Sequence, residues 1–155
     1  MPDLPLIVTA LALLGSGALF GAALYDAVVL APNLRGGPSG LEHGRLFMAA
    51  ATPANLFRVL APATQILVVL SIGFNWRDPQ ARWSLIGALI ALIAGDAITF
   101  KYHYPRNRQM FTAPLTVPPE QLATAAQQWA AANWIRVALV LGAWLGTLTA
   151  LTLAV

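Results

Sequence analysis

Residues 83–102 read WSLIGALIALIAGDAITFKY, twenty positions in which an aliphatic run carries a single carboxylate, Asp96, and closes on Lys101 and Tyr102. A helix of this length, at about 1.5 Å of rise per residue, crosses roughly 30 Å, the hydrocarbon thickness of a bilayer. The run is too long for a strand and too evenly apolar for the half-wetted face of a soluble helix. It predicts a transmembrane helix with an ionisable group inside the membrane. Three further runs meet the same criterion, giving spans at 4–30, 55–74, 83–102 and 133–155. Glycine and proline within them would count against helices in water and are tolerated in lipid. Gly17-x-x-x-Gly21, Ala91-x-x-x-Gly95 and Gly142-x-x-x-Gly146 are spaced to let neighbouring helices approach closely.

The composition agrees. Of 155 residues 58% are hydrophobic and 10% charged, and nine Lys/Arg with six Asp/Glu cannot cover the surface of a water-soluble fold. The absence of cysteine excludes disulfides, thiolate metal sites, iron–sulfur clusters, covalently attached haem and cysteine nucleophiles. The isoelectric point near 10 rests on a net charge of only +3, and the basic residues form no stripe. Nucleic acid is therefore not an expected partner. Met1-Pro-Asp3 puts an acid where a signal peptide carries a basic region, so the first run is expected to stay as a helix. No internal repeat or second domain is visible. The expectation is an all-α, four-helix transmembrane bundle, one integral membrane domain over 1–155.

Four spans put both termini on one side of the membrane with the hairpin 75–82, while the two long connections lie on the other. That second side carries Arg35, Arg45, Lys101, Arg106 and Arg108, with Arg58 just inside; the first carries Arg77 and Arg82. The positive-inside rule makes the long connections cytoplasmic and the termini external, as in a bacterial inner membrane. Within the first connection Ser39-Gly-Leu-Glu42 has the form of a capping box, predicting a short amphipathic helix from Ser39 to about Thr52, with Pro53 opening span 2. In the second, Pro118-Pro119-Glu120 predicts that the last helix begins well before the membrane. Residues 104–117 between them read as a proline-punctuated loop, with Pro105 ending the third helix.

The polar residues inside the spans are the informative ones. Counting from the cytoplasmic ends, Asp26, Arg58, Asp96 and Arg136 fall at a common depth of about 7 to 10 Å. One ionisable group per helix predicts a nearly neutral cluster in the bundle core, with Gln65 deeper as its floor. Helical spacing extends it: Trp129, Asn133 and Arg136 stand at i, i+4 and i+7, as do Asp96, Phe100 and His103. Glu42, His43 and Arg45 are placed to close over the mouth. Each has a plainer reading: Trp129 as an interfacial belt residue, Arg136 with Asp96 as a structural ion pair, Asn107 as a turn residue. Haem or a non-haem metal at His43 and His103 is conceivable, but both lie at the interface rather than in facing spans, so no cofactor is expected.

Tyr25 followed by Pro32, the segment Tyr102-His-Tyr-Pro-Arg-Asn107, and Trp129-x-x-x-Asn133-x-x-Arg136, set on four spans, resemble the anthrone oxygenase family. These are small membrane proteins, many without assigned function, that include fungal enzymes of polyketide biosynthesis. The likeness covers nearly the whole chain, and its most specific parts are Pro105-x-Asn107 and the Trp129, Asn133, Arg136 spacing. It implies oxygenation of an anthrone to an anthraquinone without a standard redox cofactor. An apolar aromatic small molecule would arrive from the bilayer and lie against Trp129, Phe100 and Tyr25, with Arg58 and Asp26 in the pocket wall. His103 or Asp96 would remove the proton next to the carbonyl, and Arg136, Asn133 and Asn107 would stabilise the oxyanion. Two other readings stay open. One is a non-catalytic subunit packed against a larger membrane complex or against copies of itself; the other, a transporter, needs polar groups continuing to the far side, where the spans are mostly aliphatic.

Overall fold

The computed structural model describes residues 4–112 and 117–154, and among them there are five helices and no strand. These are α1 (Leu4–Leu34), α2 (Gly37–Phe47), α3 (Pro53–Phe74), α4 (Pro79–Phe111) and α5 (Pro119–Leu153). All but the short α2 are long and apolar enough to cross a membrane. The chain is a four-helix transmembrane bundle in which each long helix packs on two neighbours, in the ring order α1, α3, α4, α5. Met1-Pro-Asp3, residues 113–116 of the second connection and Val155 lie outside the described residues.

Proline opens three of the four spans. Pro53, Pro79 and Pro119 occupy the first helical turn, where a missing N–H costs nothing and the fixed φ suits the helix. At α4 the Asp78 carboxylate also accepts from the backbone N–H groups of Gln80 and Ala81, at 2.9 and 3.2 Å, so this helix starts four residues before the hydropathic span.

Side-chain placement inverts the pattern of a soluble protein. Leu14, Val59, Ile66 and Ile90 face outward, whereas Ala12, Ala81, Ala88, Ala143 and Ala150 fill the core. Lipid is as apolar as leucine, so nothing drives large aliphatic groups inward and small residues let the backbones approach. The α4–α5 seam depends on this: a Cβ at Gly146 would lie 2.8 Å from the Ser84 carbonyl oxygen. Only one glycine of each Gly-x-x-x-Gly pair takes part in packing. Gly17 abuts the Trp144 indole and Gly146 the α4 backbone, while Gly21 and Gly142 face open space.

Three segments depart from regular α geometry, all toward the end of the bundle that carries the long connections. Asp26–Leu30, Thr99–His103 and Arg108–Thr112 are π-helical, with the wider i to i−5 hydrogen bonding. The first two are built alike. Each is followed by one residue and then a proline, Pro32 or Pro105, whose ring presses on the carbonyl four residues back. The wide turn absorbs that displacement. In each case the residue after the proline turns its side chain back to a carbonyl of the widened turn: Asn33 Nδ2 donates to Val29 O (2.8 Å) and Arg106 Nη1 to Tyr102 O (3.1 Å). Pro105 therefore does not end the third span, and the residues read as a loop continue it as helix to Phe111.

The capping box is also not used. The α2 helix begins at Gly37, where a φ of 78° favours glycine and Pro38 follows, so Ser39 already lies inside the first turn and makes no cap. It ends at Phe47, five residues before Thr52.

Candidate functional site

The buried charges sort into pairs. Arg136 Nη2 donates to Asp26 Oδ2 at 2.7 Å, with only 7% and 4% of the two side chains exposed. The guanidinium also lies over the Phe57 ring, 4.6 Å from its centre, while its Nε–H finds no partner. Gln65 Nε2 donates to Asp96 Oδ2 at 2.7 Å. The common-depth cluster is thus an Asp26–Arg136 ion pair, a separate Asp96–Gln65 pair, and Arg58 apart from both. The plainer reading, a structural Arg136–Asp96 ion pair, is replaced by Arg136–Asp26, because α1 packs on α5 and its π turn begins at Asp26.

Above the ion pair lies a cavity of about 340 Å³, bordered by Asp26, Phe57, Arg58, His103, Asn107 and Trp129 among others. This is the low end of the range, about 300 to 1,000 Å³, of small-molecule sites. His103, 2% exposed, meets Trp129 edge-on with ring centres 5.3 Å apart. Neither ring nitrogen of His103 has a hydrogen-bond partner, nor have Trp129 Nε1 and Asn107 Oδ1. Buried polar atoms are nearly always satisfied, by protein, water or ligand. Together with Arg136 Nε, the wall therefore gathers two idle N–H donors, an idle acceptor and an imidazole that serves as either. Such a set complements a ligand bearing carbonyl and hydroxyl oxygens on an apolar frame.

The roof comes from the two long connections. Arg45 of α2 donates through Nε to the Met110 carbonyl at 2.8 Å, and Met110 is fully buried against α5. Arg106 grips Gln128 Oε1 at 3.0 and 2.6 Å, holding the α4 extension on α5. Glu42 borders a separate groove between α2 and the start of α5.

Several residues read from the sequence lie elsewhere. Phe100 is 64% exposed on the outer surface, edge-on to Tyr104, and Tyr25 is half exposed; neither borders the central cavity. Asp96 is turned to Gln65, away from that wall. Asn133 is wholly buried below the cavity, with Nδ2 spent on the Ala23 carbonyl at 3.2 Å. His43 lies exposed beside a different groove, its Nδ1 2.7 Å from the Ser39 carbonyl, so it shares no cavity with His103. Among the described residues no group of three His, Asp or Glu side chains is placed to hold a metal ion. Phe57, unmarked in the sequence, supplies the aromatic face against Arg136; its place next to Arg58, at the depth shared with Arg136, was the available signal.

No protein-family model, none of the curated proteins and no solved structure matches the chain.

Proposed function

We propose that this protein is a membrane-embedded, oxygenase-like enzyme that oxidises an apolar aromatic ketone of the anthrone type in the cavity between His103 and Arg136. The observation that carries the reading is the group of unpartnered polar atoms on residues around an otherwise apolar space. The residue-level likeness to anthrone oxygenases supplies the reaction class.

His103 is the base of choice over Asp96, since it borders the cavity while Asp96 does not and is held by Gln65. It takes a proton from the ring CH₂ opposite the carbonyl, leaving an electron-rich enolate. The enolate oxygen is met by the idle N–H groups of Trp129 and Arg136. Dioxygen is the oxidant: the CH₂ becomes C=O, one oxygen atom enters the product, and the other leaves as water with the two hydrogens. Asp26 keeps Arg136 in place and Asn133 ties α5 to α1, so both act as positioning residues.

The test is turnover of an anthrone by the purified protein in phosphatidylcholine nanodiscs under air, read by quinone absorbance and ¹⁸O incorporation. Acceleration above protein-free nanodiscs is expected; a rate equal to that control overturns the reading. Inactivity together with a stoichiometric co-purifying protein would favour the non-catalytic subunit. The arginine excess of the long connections supports a cytoplasmic side for them, with the protein in a bacterial inner membrane. Because the chain has no cysteine, a single Cys introduced at Gly36 reports that orientation through labelling from one side.

A further inference from the structure

Arg58 makes no ion pair with another charge in the spans among the described residues. It lies about 7 Å inside α3, at about 1.5 Å per residue from Pro53, is exposed, and borders the central cavity. Among the described residues it has no hydrogen bond or ion pair. The one carboxylate on the cavity wall, Asp26, is already committed to Arg136. The first turn of α3 contributes Thr52, Pro53 and Ala54 to the same wall and adds the positive end of a helix dipole. An arginine at this depth normally faces a partner or snorkels to the interface. Here the cavity offers the Arg58 guanidinium, with Arg108 and the Asp26-bound Arg136 also on its wall, a helix start and apolar or aromatic walls, but no free acid.

We propose that the ligand of this cavity is an amphiphilic anion, a flat apolar body carrying one acidic group, and that Arg58 selects the acid. The apolar body lies against Phe57, Phe111 and Trp129, all on the cavity wall, and the carboxylate or phosphate oxygens accept from the Arg58 fork. The inference deepens the oxygenase reading and rests on the same cavity, but it concerns binding and stands whether or not turnover follows.

The experiment compares anthracene-2-carboxylate with its methyl ester, binding to the full-length protein in phosphatidylcholine nanodiscs under argon, followed by anthracene fluorescence. The acid should bind roughly tenfold or more tightly than the ester, the scale of one charge-assisted hydrogen bond. Arg58→Gln should bring the acid down to the ester while leaving ester binding unchanged, and Arg58→Lys should restore part of the preference. Arg58 is exposed, and an unchanged elution volume and circular dichroism spectrum would show the variants folded. Equal affinities in the wild type, no binding of either compound, or a preference that survives Arg58→Gln would overturn the proposal. Adding phosphatidylglycerol to the nanodiscs separates the two sources of the anion. Competition by that lipid, retained on the wild type by mass and lost from Arg58→Gln, would make the ligand a lipid headgroup and overturn the flat-bodied acid; no competition supports the free amphiphilic acid. Selective binding without anthrone turnover would sink the oxygenase reading and leave this one standing.

Discussion

The two ends of the bundle are built from different materials. Toward the termini the helices are regular, the seams are alanine and glycine, and the hydroxyls are matched: Ser16 meets Thr147 at 2.9 Å, and Ser71 and Thr9 bond back to their own helices. Toward the long connections lie the three π segments of the described residues, the ion pair, and unpartnered atoms on His103, Asn107, Trp129, Asn133 and Arg136. The division is not absolute, since Thr64 Oγ1, against Gly15 in the middle, also lacks a partner. One end is optimised for packing. The other carries unsatisfied polarity that packing alone does not explain, which is where a ligand would act.

The contrast breaks most visibly at His103. His103→Ala should lower anthrone turnover by roughly 10² to 10⁴, the usual contribution of a positioned base. Stability should hold or rise, because the substitution removes two unpartnered buried nitrogens. A variant that is markedly less stable yet retains its specific activity would make His103 a structural residue and erase the distinction between the two ends.

The ion pair comes next. Arg136→Ala should cost about 3 to 5 kcal/mol in denaturant unfolding, since it leaves Asp26 buried and unpaired. The paired variant Asp26→Asn with Arg136→Gln should recover most of that. Equal losses in the single and double variants would show that the charges do not depend on one another. Loss of turnover in Arg136→Ala is for this reason weak support for a catalytic role, and His103 is the cleaner position.

The same contrast decides what the sequence revealed. Four spans, the early start of α5 and the out-of-place charges follow from hydropathy and proline alone. Helical spacing also placed Trp129, Asn133 and Arg136 on one buried face, because α5 is regular α-helix throughout. The same spacing grouped Asp96, Phe100 and His103, and there it failed: the π turn Thr99–His103 intervenes, turning His103 inward and leaving Phe100 outside. A wheel of 3.6 residues per turn cannot anticipate a local turn of another width. Pro105, read as a helix end, was in fact the mark of that wider turn. At Asp78-Pro79 the cap signal was present in the letters, but a hydropathy window is blind to it.

At the packed end, Gly146→Val should destabilise by about 1 to 3 kcal/mol, because its side chain drives into the Ser84 carbonyl and Ala88 and must part α4 from α5. Gly142→Ala, one turn away and facing open space, should be neutral or stabilising by up to about 1 kcal/mol from helix propensity. If the two behave alike, the seam is not set by close approach. Unfolding in mixed detergent, followed by circular dichroism, separates them.

Ser16→Ala is expected to have the smallest effect and tests what holds the packed end together. The Ser16 hydroxyl bridges α1 to α5, yet each hydroxyl also has a carbonyl on its own helix: Leu13 O for Ser16, and Ala143 O and Trp144 O for Thr147. Removing Ser16 Oγ therefore strands no donor. Interhelical hydrogen bonds in membranes average about 0.6 kcal/mol, because the separated helices find partners too. A loss near that value would assign the seam to backbone proximity and small residues. A loss above about 2 kcal/mol would mean that polar bonding, not packing, ties the two helices at this end as well.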